Sequence, residues 1–476
     1  MRKVLIPLVA AAGLLTAVVL GGIGGDQSTS GGFDGPNPTP AVDLSAIPTG
    51  EPQDFGPPPD YPDGPWSTDV AEALGTTVAA LSVGVNPAGE LATLAATGDA
   101  RIAWALADLL RFIQTGEVSA SIQSAIVELT GIELDPIRPW GNAVEHLMAW
   151  DTPAPPEYFT FKRDFYSQVD PRWGELFHEV NTIDWRLVGW GGVAIDDRPA
   201  GSTMPCSCIP ALDDPPVTGA EEGGWYPDDR IVFGVVVGDE ARAYPKNIME
   251  VHEMVNDTVG GRRIGMPYCT LCGSAQAYYT DELGSEYEQP VFRTSGLLIR
   301  SNKMMYDLTT KSFVDTFTGR ANAGPLAEAG ITFEQVSVVT ATWGEWKQAH
   351  PDTTIVAEDG GLGRTYELDP LGGRDDNGPI FPIGAVDTRL PVQEHVLGIR
   401  TLQGEPVAVH VATAKRLLEG GDRIVVEDVE ILLDGDGIRA VRADGTDAAG
   451  HQAFWFAWSQ FWPRTQLWPH DYQDEA

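Results

Sequence analysis

The four cysteines of this 476-residue chain fall within one stretch, as Cys206-Ser207-Cys208 and Cys269-Thr270-Leu271-Cys272, with His252-Glu253 between the two pairs. Thiols this close can share a soft metal ion, cycle between dithiol and disulfide, or staple two loops together, and spacing alone leaves all three open. As a metal site, Cys269, Cys272 and His252, completed by Cys206, Cys208 or Glu253, would suit zinc or copper(I). As a catalytic site, His252 would lower the pKa of Cys269, the attacking sulfur, and Cys272 would resolve the mixed disulfide. Plain disulfide pairing is the third alternative in an oxidising compartment.

The elements that must position these groups are strands. The segment HEMVNDTVGGRRIGMPYC reads as two strands around Gly260-Gly261, and RIVFGVVVGDEARAYP as two more around Gly238-Asp239. With Gly260 and Gly261 as a two-residue turn, paired residue numbers sum to 521, so His252 is expected opposite Cys269 on one face, with Cβ atoms roughly 5 Å apart. A one-residue slip would put His252 on the other face. After Cys272 the run GSAQAYYTDE favours a strand, which argues against a thioredoxin motif, whose second cysteine lies in a helix.

Upstream, the pattern changes. Arg2 and Lys3 precede an apolar run from Val4 to Gly25, so residues 1–25 read as a signal peptide or an uncleaved membrane anchor, with residues 4–25 in the bilayer and the body extracytoplasmic. Residues 26–67 are rich in Gly and Pro and read as a disordered linker. Helical periodicity, as in DARIAWALADLLRFIQ, marks a module over residues 68–165, either a HEAT-like array or a plain bundle. A Trp-rich connector (166–199) leads to a β-rich domain over 200–358 that carries the Cys/His site. A Gly/Asp-rich linker (359–388) follows, then a segment over 389–470 that echoes the β-rich domain. There Trp343, Trp346, Pro351 and Thr353 recur as Trp455, Trp458, Pro463 and Thr465, 112 residues later. The expected fold class is therefore α+β, a helical N-terminal module followed by a β-rich domain with a degenerate internal repeat.

With 31 Lys+Arg against 68 Asp+Glu, the net charge is −37. A surface of that sign repels nucleic acid, and no nucleic-acid partner is expected. Arg293, Arg300, Lys303 and Arg320 are candidates for an anion pocket, with scattered solvated cations as the alternative. Ser295 lacks a nucleophile elbow and reads as a turn residue.

The ordered motifs IPALDDPP, GDEARAYP, HEMVNDTVGG, PYCTLCGSA, SGLLIRSNKMMYDLTT, FTGRANAGPL and TWGEWKQAHPDT resemble the prokaryotic family catalogued as domain of unknown function 3179, over about residues 205–358. The resemblance implies that His252, Asn256, Asp257, Cys269, Cys272, Ser295, Asn302, Tyr306 and Asp307 occupy family motif positions. It implies no substrate. Val314 and Asp315 depart from the aromatic–amide pair expected before FTGR. The functional expectation is an exported protein with a Cys/His site for soft-metal binding or thiol chemistry. The alternative is a non-catalytic surface protein with disulfide-stapled loops.

Overall fold

The computed structural model describes residues 42–284 and 287–475. The apolar run before Gly25 lies outside the described residues, among which no helix is long and apolar enough to cross a membrane. Of the segment expected as a linker, the described part lies along the body. Val42 and Ile47 are buried against the C-terminal sheet and Trp66 against the helices, because isolated apolar side chains in a Pro-rich run can still find pockets.

Six helices follow: α1 (Thr68–Ser82), α2 (Ala88–Ala95), α3 (Ile102–Phe112), α4 (Gly116–Thr130), α5 (Pro139–Ala149) and α6 (Tyr158–Val169). The three- and four-residue apolar spacing read from α3 is real but understates its burial, since every residue from Ile102 to Leu110 is buried. It packs on α4, α5 and α6, so the module is a globule around one central helix. The one carboxylate on that helix, Asp108, is buried with Lys162 at 2.9 Å and accepts from the Tyr158 and Tyr166 hydroxyls at 2.8 and 3.1 Å. A buried ion needs such a set of partners.

The rest of the chain forms five sheets of three to six strands, giving an α+β protein with a helical N-terminal part. Two of these sheets have the same plan. In one, the order is Val339–Thr342, Ile231–Val237, Glu240–Pro245, Thr354–Val356, with Val217–Gly219 as an additional edge strand; in the other it is His451–Phe454, His395–Arg400, Pro406–His410, Gln466–Trp468. The first three strands of each are antiparallel and the fourth joins in parallel. Registers correspond too: Val339 pairs with Gly234 as His451 pairs with Gly398, and Ile355 with Ala243 as Leu467 with Ala408. In each, a seven-residue helix places a tryptophan over the glycine, Trp346 over Gly234 and Trp458 over Gly398. The indole N–H donates to a threonine hydroxyl, Thr353 at 2.9 Å and Thr465 at 2.8 Å.

Candidate functional site

The hairpin over the second pair of strands has the expected register: Met254–Val259 pairs with Arg262–Cys269 around Gly260-Gly261, both at positive φ, and Met254 faces Pro267. Its ladder ends at Met254. Residues Lys246–His252 form a short helix capped by Glu253 in the left-handed region (φ 50°), so His252 leaves the strand. The expectation that His252 shares a face and a ligand set with Cys269 is corrected on this point. Its Nδ1–H donates to the Pro210 carbonyl at 2.6 Å and its Nε2 accepts from the Tyr366 hydroxyl at 2.7 Å. Burial pushes its pKa down to about 4; the Pro210 carbonyl opposes this and the Arg364 charge assists.

That shift predicts a pH dependence. With a folded value of about 4 against 6.5 when unfolded, the neutral imidazole stabilises the fold above pH 6.5, and this is lost as pH falls from 6.5 through 4. Between pH 7.5 and 5 the loss is about 2 kcal/mol. Urea unfolding at the two pH values should show His252→Gln losing less stability than the parent by that amount; an unchanged difference would refute the assignment.

The second cysteine pair lies at the far end of the same hairpin. Cys269 closes its strand, Thr270–Cys272 make one 3-10 turn, and Gly273 (φ 56°) reverses the chain where a Cβ would meet the Phe454 ring at 2.9 Å. Both cysteines are free thiols and fully buried. Both donate to one acceptor, the Ser301 carbonyl, at 3.8 and 3.6 Å. Ser301 belongs to the two-residue turn Arg300-Ser301, between Phe292–Ile299 and Asn302–Asp307, in which both residues have positive φ and neither is glycine. Such a conformation costs about 1 kcal/mol or more per residue and persists only where the surroundings impose it. Here Arg300 N donates to the Leu187 carbonyl at 3.1 Å, and the thiols engage Ser301.

Lys303 completes the group. Its ammonium donates to the Tyr268 carbonyl at 2.8 Å and to the Glu253 carbonyl, and lies 3.8 Å from the Glu253 carboxylate. Burial lowers its pKa to about 8, while Glu253 and the two cysteines pull the other way. Burial raises the Glu253 carboxyl, against Lys303 and the Thr270 hydroxyl. Burial also raises the Cys269 thiol, but the hydrogen bond with Cys272, the Lys303 backbone N–H and the Lys303 charge together leave it below the usual thiol value. Cys272 is driven well above it, by burial first and then by Cys269. The two thiols are thus shifted in opposite directions. A cavity of about 260 Å³ is lined by Thr270 and Leu271, the residues between the two cysteines, and by Glu250, Glu253, Lys303 and Arg374 among others; the cysteines themselves do not line it.

The extent of these motifs along the chain decides the family. A family model described as "Protein of unknown function (DUF3179)" matches residues 206–447, just over half of the chain. The chain belongs to the DUF3179 family. No curated protein and no solved structure matches it. The match begins at Cys206 and continues past residue 358 as far as Asp447, taking in the strands His395–Arg400 and Pro406–His410 of the second similar sheet but not His451–Phe454 or Gln466–Trp468.

Most DUF3179 motif positions of this chain serve as internal hydrogen-bonding groups. Asn256 joins two strands, donating to Asp213 at 2.9 Å and accepting from Phe292 N at 2.8 Å. Asp257 is held by Arg242 at 2.6 Å and the Tyr244 hydroxyl at 2.8 Å. Ser295 spans a β-bulge, donating to the Met304 carbonyl at 2.6 Å and accepting from Leu297 N at 3.1 Å. Asn302 donates to Thr316, Tyr306 to the Asp196 carbonyl, and Asp307 accepts from Val291 N and Thr310 N. Asp315, at the departure from the motif, accepts from Phe317 N and Thr318 N in a turn.

Cys206 and Cys208 are disulfide-bonded to each other, apart from the Cys269/Cys272 pair. With Asp196 they form the one group of three ligand-type side chains within 4.8 Å among the described residues. Bridged sulfurs are not thiolates, and the Asp196 carboxylate already binds Arg198 at 2.7 Å and Ala211 N at 2.9 Å, so the geometry offers a metal little. The five-residue ligand set of His252, Cys206, Cys208, Cys269 and Cys272 is not assembled. Nor is the four-residue anion pocket: Arg293 is buried on Asp213, Lys303 sits at the thiols, Arg300 is in the hairpin turn and Arg320 is exposed. Sequence reasoning named Lys303 for a different role and missed Ser301 altogether. The adjacent positions Arg300-Ser301-Asn302-Lys303 carry no spacing that links them to Cys269.

Proposed function

We propose that Cys269 and Cys272 are a redox dithiol for a small disulfide-bearing substrate, with Cys269 as the attacking sulfur and Cys272 as the resolving one. The observation that carries this is a pair of reduced, buried thiols converging on the Ser301 carbonyl, with the Lys303 charge acting on both. A cation there favours a thiolate and disfavours a metal ion. In the forward direction the Cys269 thiolate attacks one sulfur of R–S–S–R′, forming Cys269–S–S–R and releasing R′S⁻, which takes up a proton. Cys272 then loses its proton and attacks the Cys269 sulfur, forming the Cys269–Cys272 bridge and releasing R–S⁻, which is protonated to RSH. The protein is oxidised by two electrons and the substrate disulfide is reduced to two thiols. Both sulfurs are buried and neither lines the cavity, so the reading requires the Thr270-Leu271 turn to move for a disulfide to reach them from the cavity that this turn borders. The cavity volume of about 260 Å³ suits a low-molecular-weight disulfide, not a folded protein.

The test is a redox titration of the purified protein with thiol mapping by mass spectrometry. The reading requires a Cys269–Cys272 bridge that forms and breaks reversibly at a defined potential while Cys206–Cys208 stays closed. Thiols that remain reduced under every oxidant in native buffer would leave them as core packing.

We further infer export of the body from Asp26 onward. Arg2 and Lys3 ahead of the apolar run support it, as does the Cys206–Cys208 bridge, which suits an oxidising compartment. A topology reporter fused after Ala476 should be active outside the cytoplasm; cytoplasmic activity would reverse the assignment. The matching strand orders and registers support reading 200–358 and 389–470 as a long and a short copy of one unit, of which only the long copy carries the thiols.

A further inference from the structure

A second cavity, of about 490 Å³, opens where the helical module meets the loop around residue 380. Three arginines line it, Arg111 from α3, Arg138 at the start of α5 and Arg374 from the loop, and no carboxylate does. In a chain with 68 acidic residues against 31 basic ones, a cavity of the opposite bias is not what composition alone would produce. Elsewhere the chain neutralises its arginines locally, through the pairs Asp99/Arg101, Asp170/Arg172, Asp184/Arg186, Asp196/Arg198 and Asp387/Arg389. Arg111, Arg138 and Arg374 make no ion pair among the described residues.

Arg111 is the most constrained of the three. Its guanidinium lies 4.6 Å from the Trp140 ring, 5.2 Å from Trp190 and 5.4 Å from Phe381, and its Nε donates to the Trp190 carbonyl at 2.7 Å. Aromatic faces and one carbonyl orient the group but leave its charge without a counter-ion, which is costly for a half-buried cation. An anion in the cavity offsets that cost. Arg138 and Arg374 are exposed at its edge, and Trp140 and Phe381 give it flat apolar walls. We propose that this cavity binds a small organic anion, with a phosphate or carboxylate group on the arginines and a planar apolar part against Trp140 and Phe381. The proposal does not depend on the thiol reading, although Arg374 and Phe381 also wall the cavity beside Lys303.

Thermal unfolding of the full-length protein with phenyl phosphate or phthalate, each against sodium chloride at equal ionic strength, tests it. A saturable rise in unfolding temperature of about 3–6 °C with at least one probe is expected, and the better probe tells a phosphate ligand from a carboxylate one. Arg374→Gln and Arg138→Gln should each weaken the response about tenfold, and the double variant should abolish it. Both side chains are exposed, so the variants should unfold normally without probe; should the double variant not fold, Arg374→Gln alone decides. No shift beyond that of sodium chloride, or an undiminished shift in the variants, would overturn the site.

Discussion

Cys272→Ser protein treated with hydroxyethyl disulfide should accumulate a mixed disulfide on Cys269, whereas the parent proceeds to the Cys269–Cys272 bridge and Cys269→Ser forms neither. The effect is close to all-or-none, because the second displacement has no nucleophile once Cys272 is gone. Lys303→Met tests the cause of the asymmetry. The ammonium, with its pKa near 8, is largely charged at pH 7 and favours the Cys269 thiolate, so removing it should move the rise in the pH–rate profile to higher pH. A rate lowered about tenfold at pH 7 corresponds to one unit of that displacement. Lys303 also satisfies the Tyr268 and Glu253 carbonyls, so the variant will lose stability; the pH profile separates the electrostatic role from the structural one. A profile of unchanged position, or equal labelling of both cysteines, would remove Cys269 from the attacking role.

The largest stability effects are expected at the two tryptophan–glycine contacts. Trp346 and Trp458 are buried, each lies over a strand glycine, and each donates its indole N–H to a threonine. Trp458→Ala removes the ring and the hydrogen bond it donates to Thr465, at a cost of about 3–5 kcal/mol. Gly398→Ala would place a Cβ inside the Trp458 ring, overpacking that costs about 3 kcal/mol. Because the two changes concern the same space, they should not add: in the Trp458→Ala background, Gly398→Ala should cost little. Gly234 and Trp346 should show the same coupling. Additive costs measured by denaturant unfolding would show that the ring does not rest on the glycine, and unlike behaviour at the two sites would weaken the inference that the sheets are copies.

Short-range features were legible in the chain. The Gly260-Gly261 turn and the alternation around it specify the pairing of Met254 with Pro267, because a two-residue turn leaves one register in which the apolar face stays buried. The 112-residue echo was readable at Trp346 and Trp458 because packing a ring over a strand glycine needs the same residues at the same spacing. The helical module was visible from periodicity, although periodicity gave no sign that α3 is central and buried on all sides.

Only the tertiary structure decided how those pieces meet. His252 lies two residues beyond the paired end of the hairpin, and a left-handed residue at Glu253 turns it toward Pro210 and Tyr366. That conformation is unfavourable locally and is held from a distance, by Tyr268 N and the Lys303 ammonium on the Glu253 carbonyl. The thiol site likewise depends on the Ser301 carbonyl and Lys303, about thirty residues further on, brought in by another hairpin with its own strained turn. The arginine cavity joins positions 111, 138 and 374, which no local pattern relates. Turn chemistry and side-chain alternation act over a few residues and can be read along the chain; contacts that require closing long loops are set by the packing of the whole, and so are the residues that surround a buried thiol.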